Sequence, residues 1–406
     1  MNIGVITNLY PPMARGGAEL VAQRIVQELH LRGHKVFVIS TKPYDGLSSL
    51  APAVTDQSIE KVYRFYPFNL YHQLNDHRYP FAMRALWHLT DLWSPHAARA
   101  VGSILEKEQP DVVLTHNLKG IGLGVAAEIR RRGIRHVHTI HDVQLSVPSG
   151  LLLLGEEDSF LNRSVFRKWY ERRVQQMIGS PDVVVSPSQF LASFYRQRHF
   201  FPKSRVEVLA NPAPNLTPQE RTEHAPGPVR LLYAGQLATH KGVLFLLRAL
   251  NTLDIPFQLH IAGEGKLTPE VTAWAQRDQR VMYHGFCSLS NLTKLFAISD
   301  AVVVPSLCYE NSPTVIYESF RAGVPVVAAD IGGVGELVRD GDNGYLFRPG
   351  DEEGLRSAVR RIATEEHDFR SHADRIRASM EQHALATYVE TLEGFMQNAP
   401  KENPAQ

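Results

Sequence analysis

Two short runs of β-branched residues, joined by a loop and a helical stretch, constrain the fold of this chain more than any other feature. Residues 301–305 read AVVVP and residues 324–328 read VPVVA, and continuous apolar runs of this length are typical of strands buried on both faces. Pro313 suits a first helical turn, where the amide it lacks would have been unpaired, and Gly323 is a usual helix stop. The pattern predicts a strand, loop, helix and strand with a right-handed crossover and parallel strands.

The loop of this unit, residues 306–312, predicts an anion site. It lies at the carboxyl end of a parallel strand and leads into the free amides of a helix N-terminus, which together suit a phosphate. Glu310 lies in the loop and Glu318 lies about two turns into the helix. Because a carboxylate accepts hydrogen bonds from neighbouring hydroxyls, the pair around an anion site favours a sugar linked to phosphate. The alternative is two solvated glutamates in an ordinary βαβ unit.

The same stretch resembles the signature of the family-4 retaining glycosyltransferases of GT-B fold. The resemblance rests on Glu310 and Glu318 with seven residues between them, on GVPVV at 323–327 and on GGVGELV at 332–338. It implies that Glu310 contacts the donor sugar and that Glu318 holds the nucleotide ribose. It also implies that the residues between them hold the diphosphate: Asn311, Ser312 and Thr314. The fold implied is two doubly wound, Rossmann-like α/β domains facing a cleft.

Composition limits the broad class of the protein. A chain of 406 residues exceeds one ordinary core and suggests two domains. The balance of 43 Lys and Arg against 42 Asp and Glu gives no overall attraction to nucleic acid. Cys287 and Cys308 alone exclude a disulfide framework. We find no signal peptide and no apolar run of about 18 residues, so we expect a cytoplasmic protein, either free or peripheral at the inner face of the membrane.

The proline-rich stretch 213–228 is the clearest linker and sets the expected domain boundaries. The expected segments are an N-terminal Rossmann-like acceptor domain (1–212), the linker (213–228), a C-terminal Rossmann-like nucleotide-sugar domain (229–375), a C-terminal helix packing back on the first domain (376–397) and a disordered tail (398–406).

Two features of the first domain are candidates for the site. Gly16 and Gly17 precede a helix and leave their amides open to a diphosphate, although such a turn is often purely structural. His116 and His141 each follow a buried strand, at the edge where doubly wound sheets bind ligands. The resemblance implies that the glycines face the donor diphosphate. It also favours His141 over His116, because His141-Asp142 matches a His-Asp whose imidazole lies beside the transferred sugar.

The second domain contributes the loop GQLATHKG at 235–242, which resembles the Gly-Arg-Leu…Lys-Gly loop of the family. Lys241 matches the lysine that neutralises the leaving diphosphate, whereas Gln236 stands where arginine is usual and removes one positive charge. The resemblance also places Phe286 in the loop that holds the nucleotide base. The Asp-x-Asp within 340–344 predicts a tight turn. We expect no catalytic metal and no cofactor.

Two stretches remain open to more than one interpretation. The aromatic residues of 44–100 suit either a packed excursion or an acceptor surface. Basic and aromatic residues alternate over 163–205, which fits a solvated helix face, an anionic membrane surface or an anionic acceptor. Nucleic acid ranks last, because no nucleic-acid module is recognisable.

The function expected is therefore transfer of a sugar from a nucleotide-diphosphate donor to a hydroxyl of a glycan, lipid or small-molecule acceptor, with retention and without a metal. One alternative is a nucleotide-sugar epimerase or phosphorylase of the same fold. Another is a non-catalytic nucleotide-sugar-binding protein, which the glutamine at 236 makes conceivable. The sequence leaves the sugar, the base and the acceptor open.

Overall fold

The structure is a computed structural model that describes residues 1–13, 16–57, 60–157, 159, 164–217, 219, 227–364 and 366–398. Three sequence predictions fall partly outside these ranges: residues 218 and 220–226 of the linker, residues 399–406 of the tail, and Arg163 of the basic stretch. The chain divides into two compact units. The first comprises the described residues within Met1–Leu151, Asp158–Ala210 and Leu385–Gln406, and the second comprises those within Leu152–Glu157 and Asn211–Ala384.

Strands and helices alternate along most of the chain. The strands are β1 (Asn2–Ile6), β2 (Lys35–Thr41), β3 (Ala53–Gln57), β4 (Glu60–Phe65), β5 (Val112–Thr115), β6 (Arg135–Thr139), β7 (Val183–Ser186), β8 (Arg205–Val208), β9 (Val229–Ala234), β10 (Phe257–Ala262), β11 (Val281–Tyr283), β12 (Ala301–Val304), β13 (Val326–Ala329) and β14 (Gly344–Phe347). The helices are α1 (Gly17–Leu31), α2 (Phe81–Trp93), α3 (Pro95–Glu108), α4 (Gly124–Arg131), α5 (Val165–Ile178), α6 (Gln189–Gln197), α7 (Val243–Asn251), α8 (Thr268–Arg277), α9 (Leu289–Ile298), α10 (Thr314–Arg321), α11 (Glu352–Thr364), α12 (Glu366–Ser371), α13 (Ala373–Ala378) and α14 (Leu385–Asn398).

The first unit is built on a sheet with strand order β3-β4-β2-β1-β5-β6-β7-β8. β3 runs antiparallel to β4, and the other neighbouring strands are parallel. The order reverses between β1 and β5, and ligands of doubly wound sheets bind at the carboxyl ends of the strands at such a switch point. Residues Thr7 to Met13 follow β1, and His116 and Asn117 follow β5.

The second unit contains a parallel sheet with strand order β11-β10-β9-β12-β13-β14. Renumbered within the unit this is 3-2-1-4-5-6, the order of a dinucleotide-binding Rossmann fold. Its switch point lies between β9 and β12, so the loops beginning at Gly235 and Pro305 meet at one sheet edge. The prediction of two doubly wound α/β domains is confirmed.

Local sequence explains where several elements begin and end. Ser164, Ser188 and Ser288 cap α5, α6 and α9, because each hydroxyl accepts a backbone amide of the first turn. α10 begins directly after Pro313, and Gly323, with φ of +74°, follows its end. The strand, helix and strand expected between 301 and 328 are therefore present as β12, α10 and β13.

The structure differs from the expected domain boundaries in two places. Residues 152–157 belong to the second unit, where Leu153 forms an isolated antiparallel bridge with Cys308. Residues 376–384 also remain with the second unit, since Ile376 and Met380 are buried in its core. The returning helix is α14, which begins at Leu385 and not at 376.

α14 is anchored to the first unit by both apolar and charged contacts. Tyr388, Val389 and Leu392 are buried in the same core as the inner face of α1. Glu393 accepts hydrogen bonds from Arg32 at 3.0 Å and pairs with His34 at 2.6 Å.

The aromatic residues of 44–100 divide into a buried and an exposed set. The buried set is Tyr63, Phe65, Tyr66, Tyr71 and Trp87. The exposed set includes Tyr44, Phe68, Phe81 and Trp93. No helix within the described ranges combines the length and the apolar content needed to cross a membrane.

Candidate active site

A carboxylate and an ammonium meet at the switch point of the second sheet. The Lys241 Nζ donates to Glu310 Oε1 over 2.6 Å, and the Ser306 Oγ donates to the same oxygen over 2.8 Å. The 3₁₀ turn after β9 carries Lys241, and the loop after β12 carries Ser306 and Glu310. The structure thus brings together two of the three residues expected to be catalytic.

Backbone contacts hold these two loops against each other. The amide of Leu307 donates to the carbonyl of His240 at 2.8 Å. Gly242 has φ of +75°, and a Cβ added there would lie 1.8 Å from the carbonyl oxygen of Pro305. Because only glycine permits both this conformation and this approach, Gly242 fixes the Lys241 loop on the strand end that leads to Glu310.

A second close approach fixes the backbone of Glu310 itself. Glu310 forms a parallel bridge with Gly332, and its carbonyl accepts the amide of Gly333 at 2.7 Å. Gly332 has φ of +70°, and an added Cβ would lie 2.0 Å from the Glu310 carbonyl oxygen. The glycine pair after β13 therefore sets the position from which the Glu310 side chain projects.

The site is electrostatically paired and only partly open to solvent. The side chain of Lys241 is 31% exposed and that of Glu310 is 12% exposed. Burial alone lowers the pKa of Lys241, but the charge of Glu310 and its hydrogen bond raise that pKa above its ordinary value. Burial, followed by the charge of Glu310, raises the pKa of Cys308 to about 12. Lys241 is therefore a cation at neutral pH, and Cys308 is a neutral thiol.

The start of α10 lies on the same loop, a few residues beyond Glu310. Asn311, Ser312 and Thr314 are half-buried there, and the Ser312 hydroxyl hydrogen-bonds the Tyr317 hydroxyl at 2.7 Å. The first four amides of a helix lack intrahelical acceptors and carry partial positive charge. The first turn of α10 contains no acidic residue, so no carboxylate of that turn competes with an anion at this helix end. Glu318 is half-buried in the second turn.

Two further donor-binding candidates lie on loops of the second unit. Gln236 is exposed, and its carbonyl accepts the hydroxyl of Tyr233 at 2.8 Å. Gly263, with φ of +138°, approaches Gly235 so closely that an added Cβ would lie 1.9 Å from its carbonyl oxygen. Phe286 is 77% exposed on the loop after β11.

The glycine pair of the first unit lies at the start of α1, with Gly16 as the N-cap. The amide of Gly16 donates to the Glu19 carboxylate at 2.9 Å. The φ of Gly16 is −152°, an extended value that any residue adopts. A negatively charged group therefore already contacts this helix end.

Both candidate histidines of the first unit belong to one contact. His116 Nδ1 lies 2.9 Å from His141 Nε2, and the two ring planes are inclined by 25° with centroids 5.2 Å apart. Burial lowers the pKa of His141 to about 4, and burial followed by the charge of His141 lowers the pKa of His116 well below its usual range. Both imidazoles are neutral at pH 7. The sequence analysis treated His116 and His141 as alternatives, whereas in the structure the two side chains contact each other.

Some of the basic residues of 163–205 form ion pairs within the first unit. Glu171 pairs with Arg167 at 3.2 Å and with Arg198 at 3.7 Å. Arg205 pairs with Glu207 at 2.5 Å. The cations that remain exposed include Lys168, Arg172, Arg173, Arg196 and Lys203.

Within the described residues, no group of three or more His, Cys, Asp or Glu side chains could hold a metal ion.

Comparison with known proteins decides the family. The model for glycosyltransferase family 4 matches residues 15–214, and the model for glycosyl transferases group 1 matches residues 228–365. The chain belongs to the family-4, group 1 glycosyltransferases. The second matched range contains Lys241, Glu310 and Glu318, and the first contains His141.

Relatives of known name cover almost the whole of this glycosyltransferase. The glycogen synthase of Mycobacterium tuberculosis is 26% identical over 430 residues, which cover 99% of this chain and 97% of that protein. Sucrose-phosphate synthase from Thermosynechococcus elongatus superposes with a TM-score of 0.75 at 18% identity, covering 98% and 100% of the two chains. Anabaena HepE, solved with UDP and glucose, gives 0.69 at 20% identity with the same coverage. The structural likeness confirms the GT-B fold.

The sequence analysis assigned no role to two side chains that contact the Glu310 carboxylate. Ser306 donates to Glu310, and Cys308 Sγ lies 3.9 Å from the same oxygen. Their even spacing before Glu310, at positions 306, 308 and 310, places alternate side chains on one side of an extended loop. This spacing is the sequence feature from which contacts of Ser306 and Cys308 with Glu310 could have been predicted.

Proposed function

We propose that this glycosyltransferase transfers a sugar from a nucleotide-diphosphate donor to a hydroxyl of a glycan, lipid or small-molecule acceptor. We further propose that the anomeric configuration is retained and that no metal takes part. The observation that carries the proposal is the 2.6 Å contact between Lys241 and Glu310 beside the N-terminus of α10.

The donor diphosphate would bind between the Lys241 ammonium and the amides at the start of α10. Both are fixed before the substrate arrives, so they can stabilise charge on the leaving group without reorganisation. The candidates for the phosphate contacts are Asn311, Ser312 and Thr314. Glu318, one turn further on, would accept the ribose hydroxyls, and exposed Phe286 would stack on the base.

The contacts of Glu310 favour an orienting role over a nucleophilic one. Its Oε1 already accepts the Lys241 ammonium and the Ser306 hydroxyl, which reduces the electron density available for attack on carbon. We assign Glu310 to the hydroxyls of the donor sugar. In the reaction the acceptor oxygen bonds to the anomeric carbon on the face that the diphosphate leaves. The anomeric carbon–oxygen bond to phosphate breaks, and the acceptor proton passes to a phosphate oxygen.

The first unit would supply the remaining contacts. Gly16 and Gly17 at the start of α1 would face the diphosphate, whose charge would replace that of Glu19 near the helix end. The imidazole of His141 would hydrogen-bond a sugar hydroxyl. Gln236 offers an uncharged amide where a second cation is usual, so the charge on Lys241 would be the main cationic contribution of this loop.

We propose an anionic membrane surface as the partner of the basic stretch. At the start of α5, Val165 and Phe166 are 84% and 57% exposed, and Lys168, Arg172 and Arg173 follow them on the same helix. Apolar tips beside cations suit the boundary of an anionic bilayer. Flotation with phosphatidylglycerol vesicles should recover the protein. Phe166→Ser with Lys168→Glu should abolish recovery, whereas binding that persists in this variant would contradict the proposal.

The donor is tested first by thermal unfolding with a panel of UDP-, GDP- and ADP-sugars, because a ligand that binds only the folded state raises Tm. The stabilising donor is then incubated with and without candidate acceptors. We expect a glycosylated acceptor and release of the nucleoside diphosphate. An epimerised donor formed without acceptor would support the epimerase, and a requirement for inorganic phosphate would support the phosphorylase. Stabilisation by a nucleotide sugar without any turnover would support the non-catalytic binding protein.

A further inference from the structure

The hydrogen bond between His116 and His141 can have only one of the two rings as its donor. Since both rings are neutral, a hydrogen bond between His116 Nδ1 and His141 Nε2 needs the proton on one of these two nitrogens only. We infer that His116 is a positioning residue that donates from Nδ1 to Nε2 of His141 and thereby fixes His141 as the tautomer protonated at Nδ1. This inference rests on the proposed role of His141 at the donor sugar.

Burial of His116 decides which nitrogen carries the proton. His116 is 1% exposed, and its Nε2 has no hydrogen-bond partner among the described residues. If His141 were the donor, His116 would have to carry its proton on Nε2, as a buried N–H without an acceptor. Buried N–H groups without partners are rarer in proteins than buried acceptors without partners. The proton on His116 is therefore assigned to Nδ1.

The surroundings keep the two rings neutral and in register. His116 follows β5 and His141 follows β6, which are paired neighbours in the sheet. Two more buried histidines contact Thr115, whose Oγ1 lies 2.7 Å from His136 Nε2 and 2.8 Å from His138 Nδ1, and the charges of His116 and His141 act on His138. Burial, followed by the charges of neighbouring groups, lowers the pKa of His136 to about 3 and that of His138 well below its usual range. A proton added to one of these rings would place a charge beside other buried imidazoles, which disfavours it.

Fixing the tautomer matters for a sugar contact. A His141 ring protonated at Nδ1 carries its proton on one defined side, and the hydrogen bond to His116 limits rotation of the ring. Without the bond, the proton distributes between both nitrogens and the donor is lost in part of the population. The second ring nitrogen of a functional histidine commonly sets its tautomer in this way. We expect the effect in kcat, with little change in donor KM, if the contact strengthens in the transition state.

Two substitutions separate hydrogen bonding from packing. His116→Asn places an amide Nδ2 where the imidazole Nδ1 lay and can still donate to His141. His116→Leu fills similar volume and cannot donate. Long-range ¹H–¹⁵N spectra of histidine-labelled full-length protein report which nitrogen is protonated, and His141→Gln identifies the His141 signals by their loss.

In the wild type we expect His141 Nδ1 protonated and Nε2 unprotonated, and in His116→Asn the same pattern with kcat within about threefold of wild type. In His116→Leu we expect a tautomer mixture and a kcat about tenfold lower, which corresponds to one net hydrogen bond. Protonated Nε2 in the wild-type protein would overturn the assignment without any variant. Equal kcat values for His116→Asn and His116→Leu would overturn the positioning role.

Failure of the proposed function can be told apart from these outcomes. The spectra need no substrate, so they test the proton assignment directly. If the tautomers behave as expected but His141→Gln retains full kcat, the proposed role of His141 in the reaction is wrong, and with it the positioning role of His116. Thermal unfolding and donor binding of each variant show whether the fold and the donor site are intact.

Discussion

The ion pair between Lys241 and Glu310 gives the most informative single perturbation. Lys241→Ala leaves the Glu310 carboxylate, which is 12% exposed, without its ammonium partner. Breaking a fully buried pair in this way costs about 3–5 kcal/mol, whereas an exposed pair is worth about 1 kcal/mol or less. The Lys241 side chain is 31% exposed, which places the pair between these two cases. We therefore expect a loss of about 1–2 kcal/mol in the free energy of unfolding.

The same substitution should have a larger effect on the reaction. Removing one preorganised donor from a developing charge typically lowers kcat by about 10²–10³-fold. A protein with a total stability of about 5–15 kcal/mol remains folded after losing about 2 kcal/mol, so unfolding does not explain such a loss. Lys241→Met is the matched control, since it keeps the apolar stem and removes only the charge. We expect it to lose kcat as Lys241→Ala does.

A double-mutant cycle with Glu310→Gln then separates the two effects. The double variant Lys241→Ala/Glu310→Gln leaves no uncompensated charge, so its free energy of unfolding should exceed the value expected from adding the single losses by about 1 kcal/mol. Urea denaturation measures this term, and initial transfer rates with the stabilising donor measure kcat. The double variant should stay inactive. Recovery of kcat together with stability would refute a role for Lys241 at the leaving group.

Three further predictions concern the donor grip, the Glu310 loop and the histidine pair. Glu318→Ala should raise donor KM by about tenfold or more through loss of charged hydrogen bonds, with kcat nearly constant; an unchanged KM in initial-rate assays contradicts the ribose role. Gly332→Ala should lower the free energy of unfolding by at least about 2 kcal/mol and abolish the donor-induced rise in Tm, because a Cβ there meets Glu310. Gly341→Ala is its control, since Gly341 has a similar φ of +78° and open space. The pKa of His141 is lowered from its usual value of about 6.5 to about 4, so the contribution of His141 to stability should be complete above about pH 6.5 and fall by up to about 3 kcal/mol towards pH 4. Urea denaturation across this range should show a fall that is smaller by about this amount for His141→Asn.

The strands and helices around the site follow from local sequence. β12 and β13 were predictable because their buried β-branched runs lie between clear stop signals, and α10 because Pro313 and Gly323 mark its ends. The assignment of residues 152–157 to the second unit was not predictable. It depends on the bridge between Leu153 and Cys308, which are far apart in the chain, and local propensity carries no information about such a pairing.

The candidate site shows the same division between local and long-range information. The positions of Lys241 and Glu310 at strand ends could be read from the sequence, but their 2.6 Å contact depends on the approach of Gly242 to the Pro305 carbonyl. Similarly, His116 and His141 were each recognisable as candidates. Their coupling arises from the pairing of β5 with β6, which places consecutive strand ends side by side.

The paired state of Lys241 predicts in which kinetic parameter its role should be seen. In the free site the Lys241 ammonium is already paired with Glu310. A bound donor must therefore share this cation with Glu310, and its binding free energy gains less than it would from an unpaired cation. As the bond to the anomeric carbon breaks, negative charge grows on the diphosphate oxygens, and the attraction of the ammonium grows with it. An interaction that strengthens only in the transition state raises kcat and leaves KM almost unchanged. The α10 amides and Glu318 would therefore dominate donor affinity, and Lys241 would dominate turnover, a division that the absence of a cation at Gln236 makes sharper.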